Sequence, residues 1–186
     1  MLKTLIRSLI VQWEKLISKI KRIQPIDGSS YGLLCIRTAR YKGKTLELTD
    51  KSRLSKGDFI IEMHLSNIIL AKGSVGNATV ASDLQLFPYI RAELIILCKY
   101  LHSHELHTKI KAIGGMTIHG PGLRRFGFTL YPAQKNLLTA LATIWMRILR
   151  WAFSHPREAV RLRNRPPKNL ENFYMPISQF FQKYDV

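Results

Sequence analysis

Hydrophobic positions at the start of the chain recur at three- and four-residue steps. Leu2, Leu5, Ile6, Leu9, Ile10, Trp13, Leu16, Ile17, Ile20 and Ile23 make one stripe, and Lys3, Arg7, Lys15, Lys19, Lys21 and Arg22 fall largely outside it. That period predicts an amphipathic helix over Met1–Ile23, ended by Pro25. A loop at Ile26–Ser30 separates this arm (1–25) from the remainder (26–186). The spacing then changes to two. Leu34, Ile36 and Thr38 alternate with Cys35, Arg37 and Ala39 within a strand over Tyr31–Arg40. A reversal at Tyr41-Lys42-Gly43-Lys44 leads to a strand at Thr45–Leu48. The next strand, after Gly57-Asp58, has Phe59, Ile61, Met63 and Leu65 on one face and Ile60, Glu62, His64 and Ser66 on the other. Short connections make these three an antiparallel meander.

Beyond Asn67–Leu70, which closes that strand or begins a helical turn, Lys72–Thr79 is a glycine-containing loop. Helical spacing returns over Tyr89–Leu101, where Ile90, Leu94, Leu97, Cys98 and Leu101 form the buried stripe and Arg91 and Glu93 lie off it. Lys109–His119 is a strand whose Gly114 and Gly115 signal a bulge or a close backbone approach. A turn at His119–Arg125 joins it to a strand over Phe126–Tyr131. Gln134–Phe153 is a strongly apolar helix, and Tyr174–Tyr184 a short terminal one. The predicted class is α+β: a mainly antiparallel sheet of about five strands, packed by two or three helices, with the amphipathic helix at the N-terminus.

Charge alters this picture more than composition does. Among 186 residues, 46% are hydrophobic and 22% charged, which suits a folded domain. The formal net charge is +17. Such an excess favours an acidic membrane surface, an anionic envelope polymer or nucleic acid. Arg7 and Glu14 interrupt any signal-peptide core, and Arg147 and Arg150 interrupt the apolar helix, so neither segment is expected to be a leader or a span. Arg157, Arg161, Arg163, Arg165 and Lys168 follow that helix in a basic stretch, 156–168. A cytoplasmic, peripherally membrane-associated protein is therefore expected. Its membrane-binding set is Trp13, Lys15, Lys19, Lys21, Arg22, Trp145, Arg147, Arg150, Trp151, Arg161, Arg163 and Arg165. The alternative for both amphipathic helices is packing within the domain, against a second copy or against another protein.

Candidate chemistry centres on Glu62 and His64, a carboxylate and an imidazole on one face of one strand. His119 with Arg124 and Arg125 forms a donor-rich turn suited to an anion. Asn67 and Arg91 join the candidate ligand-binding set, Arg91 if its helix packs across the Glu62 face. The His102-Ser103-His104-Glu105-Leu106-His107 run lacks the four-residue histidine spacing of the zinc-protease motif. No metal and no cofactor are expected. Cys35 and Cys98 sit in apolar runs and read as reduced structural thiols.

One resemblance is specific. Arg40-Tyr41-Lys42-Gly43, then Leu54-x-x-Gly57-Asp58-x-Ile60-x-Glu62-x-His64-Leu65-x-Asn67, resembles the YkoP-like domain family. Gly114-Gly115, His119, Arg125-x-Gly127-Phe128 and the closing Tyr174-Met175 with Phe180-Phe181-x-x-Tyr184 look like the same pattern. The resemblance covers nearly the whole chain. It implies kinship with small proteins of spore-forming Gram-positive bacteria and with domains appended to polysaccharide deacetylases, and hence work near the envelope or spore. It supplies no reaction.

Three functions follow as expectations. One is a peripheral membrane or envelope domain presenting the Glu62–His64 face to an anionic or glycan-bearing ligand. Another is a hydrolase or transferase with His64 or His119 as general base, Glu62 orienting it and Arg125 holding negative charge. The third, nucleic-acid binding, rests on charge alone, since the basic runs lack interleaved aromatics.

Overall fold

Alternating side chains along two seven-residue strands build the middle of the molecule. The structure is a computed structural model and describes residues 2–72, 74–75, 78–79, 83–103, 108–118, 120–134, 136–153 and 170–185. Helix α1 (Leu2–Lys21) precedes β1 (Gln24–Pro25), β2 (Leu34–Arg40), the short β3 (Leu46–Glu47) and β4 (Arg53–Leu54), and β5 (Phe59–Leu65). Helix α2 (Asn67–Lys72), β6 (Ser74–Val75), β7 (Ala78–Thr79) and a 3-10 turn at Asp83–Leu86 lead to α3 (Phe87–Ser103). Then come β8 (Ile110–Thr117), α4 (Gly120–Arg125), β9 (Thr129–Pro132), α5 (Leu137–Phe153), β10 (Glu171–Pro176) and α6 (Ile177–Tyr184).

Six strands form one sheet in the order β1-β2-β5-β8-β10-β9. Every neighbouring pair is antiparallel except β5 and β8. Parallel neighbours need a long crossover, and the α2-to-α3 segment supplies it. The expected α+β class and mainly antiparallel sheet are what forms.

Local structure differs from the expectation in four places. β2 pairs directly with β5, placing Cys35 opposite His64 and Arg37 opposite Glu62. The expected Thr45–Leu48 strand shrinks to β3 and pairs with β4 outside the main sheet. Its excursion is tied at the base, where the Tyr41 N–H donates to the Asp58 carbonyl (2.8 Å) and the Gly57 N–H to the Tyr41 carbonyl (2.9 Å). The expected hairpin of the 109–119 and 126–131 strands does not form, because β10 lies between β8 and β9 and pairs with both. The turn between them is instead helix α4. Residues 174–184, expected to be one helix, divide into the end of β10 and α6.

The two sheet faces are covered unequally. On one, Ile36, Ile61, Met63, Ile113, Phe173 and Met175 pack with Leu94, Leu97, Cys98 and Leu101 of α3 and with Phe180 and Tyr184 of α6. On the other, the β3–β4 hairpin brings Leu48 and Leu54 onto Ile60, Ala112, Tyr41 and Tyr174. Glu93, expected off the buried stripe, is fully buried. Its carboxyl oxygens accept bonds from the Ser29 hydroxyl and from the Leu34 N–H (2.9 Å), so a polar side chain holds α3 to the start of β2.

Gly114 is a close approach of the kind its place in a strand implies. A side chain there would collide with the Tyr174 ring and the Phe173 carbonyl. Gly114→Ala should therefore lower stability by about 1–3 kcal/mol, measured by urea denaturation. An unchanged midpoint would show that Tyr174 does not lie across this glycine.

Candidate functional site

Because β2 and β5 pair in antiparallel register, four polar or reactive side chains share the face opposite α3: Cys35 and Arg37 from β2, Glu62 and His64 from β5. Nε and Nη2 of Arg37 both donate to Oε2 of Glu62, the Nε contact at 2.6 Å. This pair is mostly shielded but still reaches solvent. On the next strand Gly114 lies beside Glu62 and offers no side chain, so the Tyr174 ring occupies that space. Burial raises the Tyr174 phenol above its ordinary pKa, with Tyr41 and the Glu62 carboxylate adding to the rise. The strip Arg37–Glu62–Tyr174 thus carries a cation, an anion and a phenol.

His64 stands beside this strip. Its Nε2 is buried without a hydrogen-bond partner among the described residues. Burial lowers its pKa; Glu62 opposes the shift, and Arg37 and Lys21 reinforce it. Glu62 is bonded to Arg37 rather than orienting the imidazole. Cys35, directly across from His64, has its thiol pushed up to about 11, chiefly by burial. It is therefore a protonated structural thiol at neutral pH.

The other predicted ligand residues do not join this face. Arg91 is an exposed residue of α3, and α3 packs on the Ile61–Met63 side. It is electrostatically close to Tyr184. Arg125 lies on that same side, its guanidinium 5.5 Å from the centre of the Phe87 ring, while Phe87 packs edge-on against Phe126. Arg124 borders a shallow depression of about 370 Å³ with Gly127, Phe128, Thr129 and Leu130. His119 lies outside the described residues. Asn67 starts α2, and its backbone N–H donates to both carboxylate oxygens of Glu14, each at 3.0 Å.

That contact fixes α1. Arg7 Nε also donates to the Ala152 carbonyl near the end of α5 (2.6 Å), and Ile10 is buried. Ile6 and Ile17 lie half-buried on the same inward side. The stripe read as one in the sequence is therefore split. Leu5, Leu9, Trp13, Leu16 and Ile20 point outward, as do Leu137, Leu141, Ile144, Trp145, Ile148 and Trp151 of α5. Among the described residues, thirteen large hydrophobic side chains are exposed, and these two helices carry eleven of them. Lys15, Lys19, Lys21, Arg22 and Arg147 are exposed too. The Arg150 side chain and Arg161, Arg163 and Arg165 lie outside the described residues. No helix among the described residues is long and apolar enough to cross a membrane.

Fold and surface together define a basic α+β domain carrying a paired amphipathic-helix ridge. The model of the YkoP domain family matches residues 3–184, so the chain belongs to that family. It is 29% identical over 109 residues to "Uncharacterized protein YkoP" of Bacillus subtilis (strain 168). The match covers 58% of this chain and 59% of that protein, so the chain spans less than two thirds of the relative's length. No solved structure gives a significant match.

The buried imidazole makes a pH prediction. The unfolded state takes up a proton near the ordinary histidine pKa of about 6.5, whereas folded His64 resists it. Its contribution is present above that value and is lost as pH falls through the lower folded pKa. His64→Gln should flatten the decline in melting temperature on acidification below about pH 6.5. A parallel decline in both proteins would mean that His64 titrates normally.

Proposed function

We propose that this YkoP-domain protein is a peripheral binder of acidic membrane surfaces, docking through the ridge formed by α1 and α5. The observation that carries this is the concentration of exposed large hydrophobic side chains on these two helices, with exposed basic residues alongside. Water-soluble surfaces rarely leave so many large apolar side chains exposed on two adjoining helices unless they meet a partner. Lipid suits the ridge better than another protein surface for two reasons. Trp13, Trp145 and Trp151 have the amphipathic rings favoured at the headgroup boundary, and the net charge of +17 complements anionic headgroups. The basic residues that follow α5 in sequence extend the same attraction.

The Arg37–Glu62–Tyr174 strip lies beyond the α1 end that carries Lys21, which is electrostatically close to His64. A domain docked by α1 would hold that strip near the surface, available to an anionic or glycan-bearing ligand. Service in the cell envelope or in sporulation belongs to the same proposal. A general-base role for His64 is less well supported, because Nε2 is shielded and Glu62 is bonded to Arg37.

Vesicle flotation tests the docking. Each outward apolar residue is expected to contribute on the order of 1 kcal/mol on burial. Leu9→Glu and Ile144→Glu should each lower partitioning onto acidic vesicles about tenfold, with the melting temperature nearly unchanged. Neutral vesicles should bind the parent chain weakly. Equal binding by the parent and a double variant would refute the proposal, as would a stable dimer that ignores lipid. Preferential capture by an anionic wall polymer would replace lipid with that polymer.

A further inference from the structure

Away from the ridge, on the sheet face covered by α3, two potential metal ligands of one helix meet a third from the end of the chain. Cys98 and His102 are four residues apart on α3, so they project from the same side of the helix. Asp185 follows α6 and meets them there. One ligand atom from each lies within 4.8 Å of the other two. His102 Nε2 and Asp185 Oδ2 are 3.3 Å apart.

We propose that Cys98, His102 and Asp185 form a site for a zinc-class divalent transition metal. For metal–ligand bonds of about 2.0–2.3 Å, the edges of a tetrahedron are roughly 3.3–3.7 Å. The imidazole–carboxylate pair therefore already has that separation, and the sulfur lies within 4.8 Å of both. Each ligand has its own packing or hydrogen-bond contact. Cys98 is wholly buried among core residues. The His102 ring lies against Phe181, with centroids 4.3 Å apart. Asp185 is placed at the end of α6, where its N–H donates to the Phe181 carbonyl at 2.9 Å.

The donor chemistry selects the class of ion. A thiolate with an imidazole and one carboxylate suits zinc or cobalt and is unlike the all-oxygen shells of magnesium and calcium. Cys98 forms the floor, while His102 and Asp185 are exposed, leaving the fourth position on the solvent side for water. Ligation by a thiolate displaces the thiol proton to solvent.

Cobalt and zinc titrations of the full chain test the site, independently of membrane binding. One equivalent of cobalt should produce a thiolate-to-cobalt charge-transfer band and tetrahedral visible bands, both removed by zinc. Cys98→Ser should abolish the charge-transfer band, whereas Cys35→Ser should leave it intact. Since Cys98 is in the core, His102→Gln and Asp185→Asn at the exposed positions provide the second arm. Each should weaken binding at least about tenfold while leaving the metal-free melting temperature nearly unchanged. Absence of the band in the parent chain, its survival in Cys98→Ser, or unchanged affinity in both exposed-site variants would overturn the assignment.

Discussion

The rotation of α1 about its own axis decides what the molecule shows to its surroundings. Glu14 and Arg7 set that rotation from the side expected to be solvated. The half-buried Glu14 carboxylate accepts the Asn67 N–H at the start of α2, where it complements the positive end of that helix. Burial raises its pKa, partly offset by the bonds from Asn67. Arg7 reaches the Ala152 carbonyl of α5. A charged group withdrawn from water needs such partners, so these contacts keep the Glu14–Arg7 side inward. Leu5, Leu9, Trp13, Leu16 and Ile20 are consequently turned out. Their exposure follows from polar anchoring, not from lack of something to pack against.

The sheet shows a second asymmetry. Its α3 face is closed by a continuous core that also takes in α6. The opposite face is only partly roofed by the β3–β4 hairpin, leaving Arg37 and Glu62 partly open beyond it. The lack of a side chain at Gly114 admits Tyr174 to this strip. Gly114-Gly115, Glu62-x-His64 and Tyr174-Met175 are among the motifs that carry the sequence resemblance. The geometry gives these motifs one location: Gly114, Glu62 and Tyr174 lie side by side on adjacent strands.

Short-range patterning made much of this legible. The alternation in β5 correctly separates Ile61 and Met63 from Glu62 and His64, and the helical spacing of Leu94, Leu97, Cys98 and Leu101 identifies the core side of α3. What local pattern cannot convey is which distant segment arrives. β10 separates two strands expected to pair, and that insertion depends on residues 39 or more positions beyond the end of β9. Arg91 and Arg125 would approach Glu62 only with α3 on the Glu62 face and the 109–131 hairpin beside the meander, neither of which forms. Glu93 looks like a solvated charge until Ser29 and Leu34 are brought to it. The Cys98–His102 spacing is readable on one helix, but Asp185 reaches it only through the packing of α6.

All three tryptophans of the chain, Trp13, Trp145 and Trp151, stand on the ridge at 52%, 36% and 44% exposure. Tryptophan fluorescence of the unmodified protein, excited selectively over its tyrosines, therefore reports on that surface. If the ridge docks on lipid, emission should be red-shifted and open to an aqueous quencher in buffer. Acidic vesicles should shift it to the blue and shield it, and neutral vesicles should do so far less. Emission that is already blue and shielded in buffer, or that acidic vesicles leave unchanged, would contradict an exposed lipid-seeking ridge.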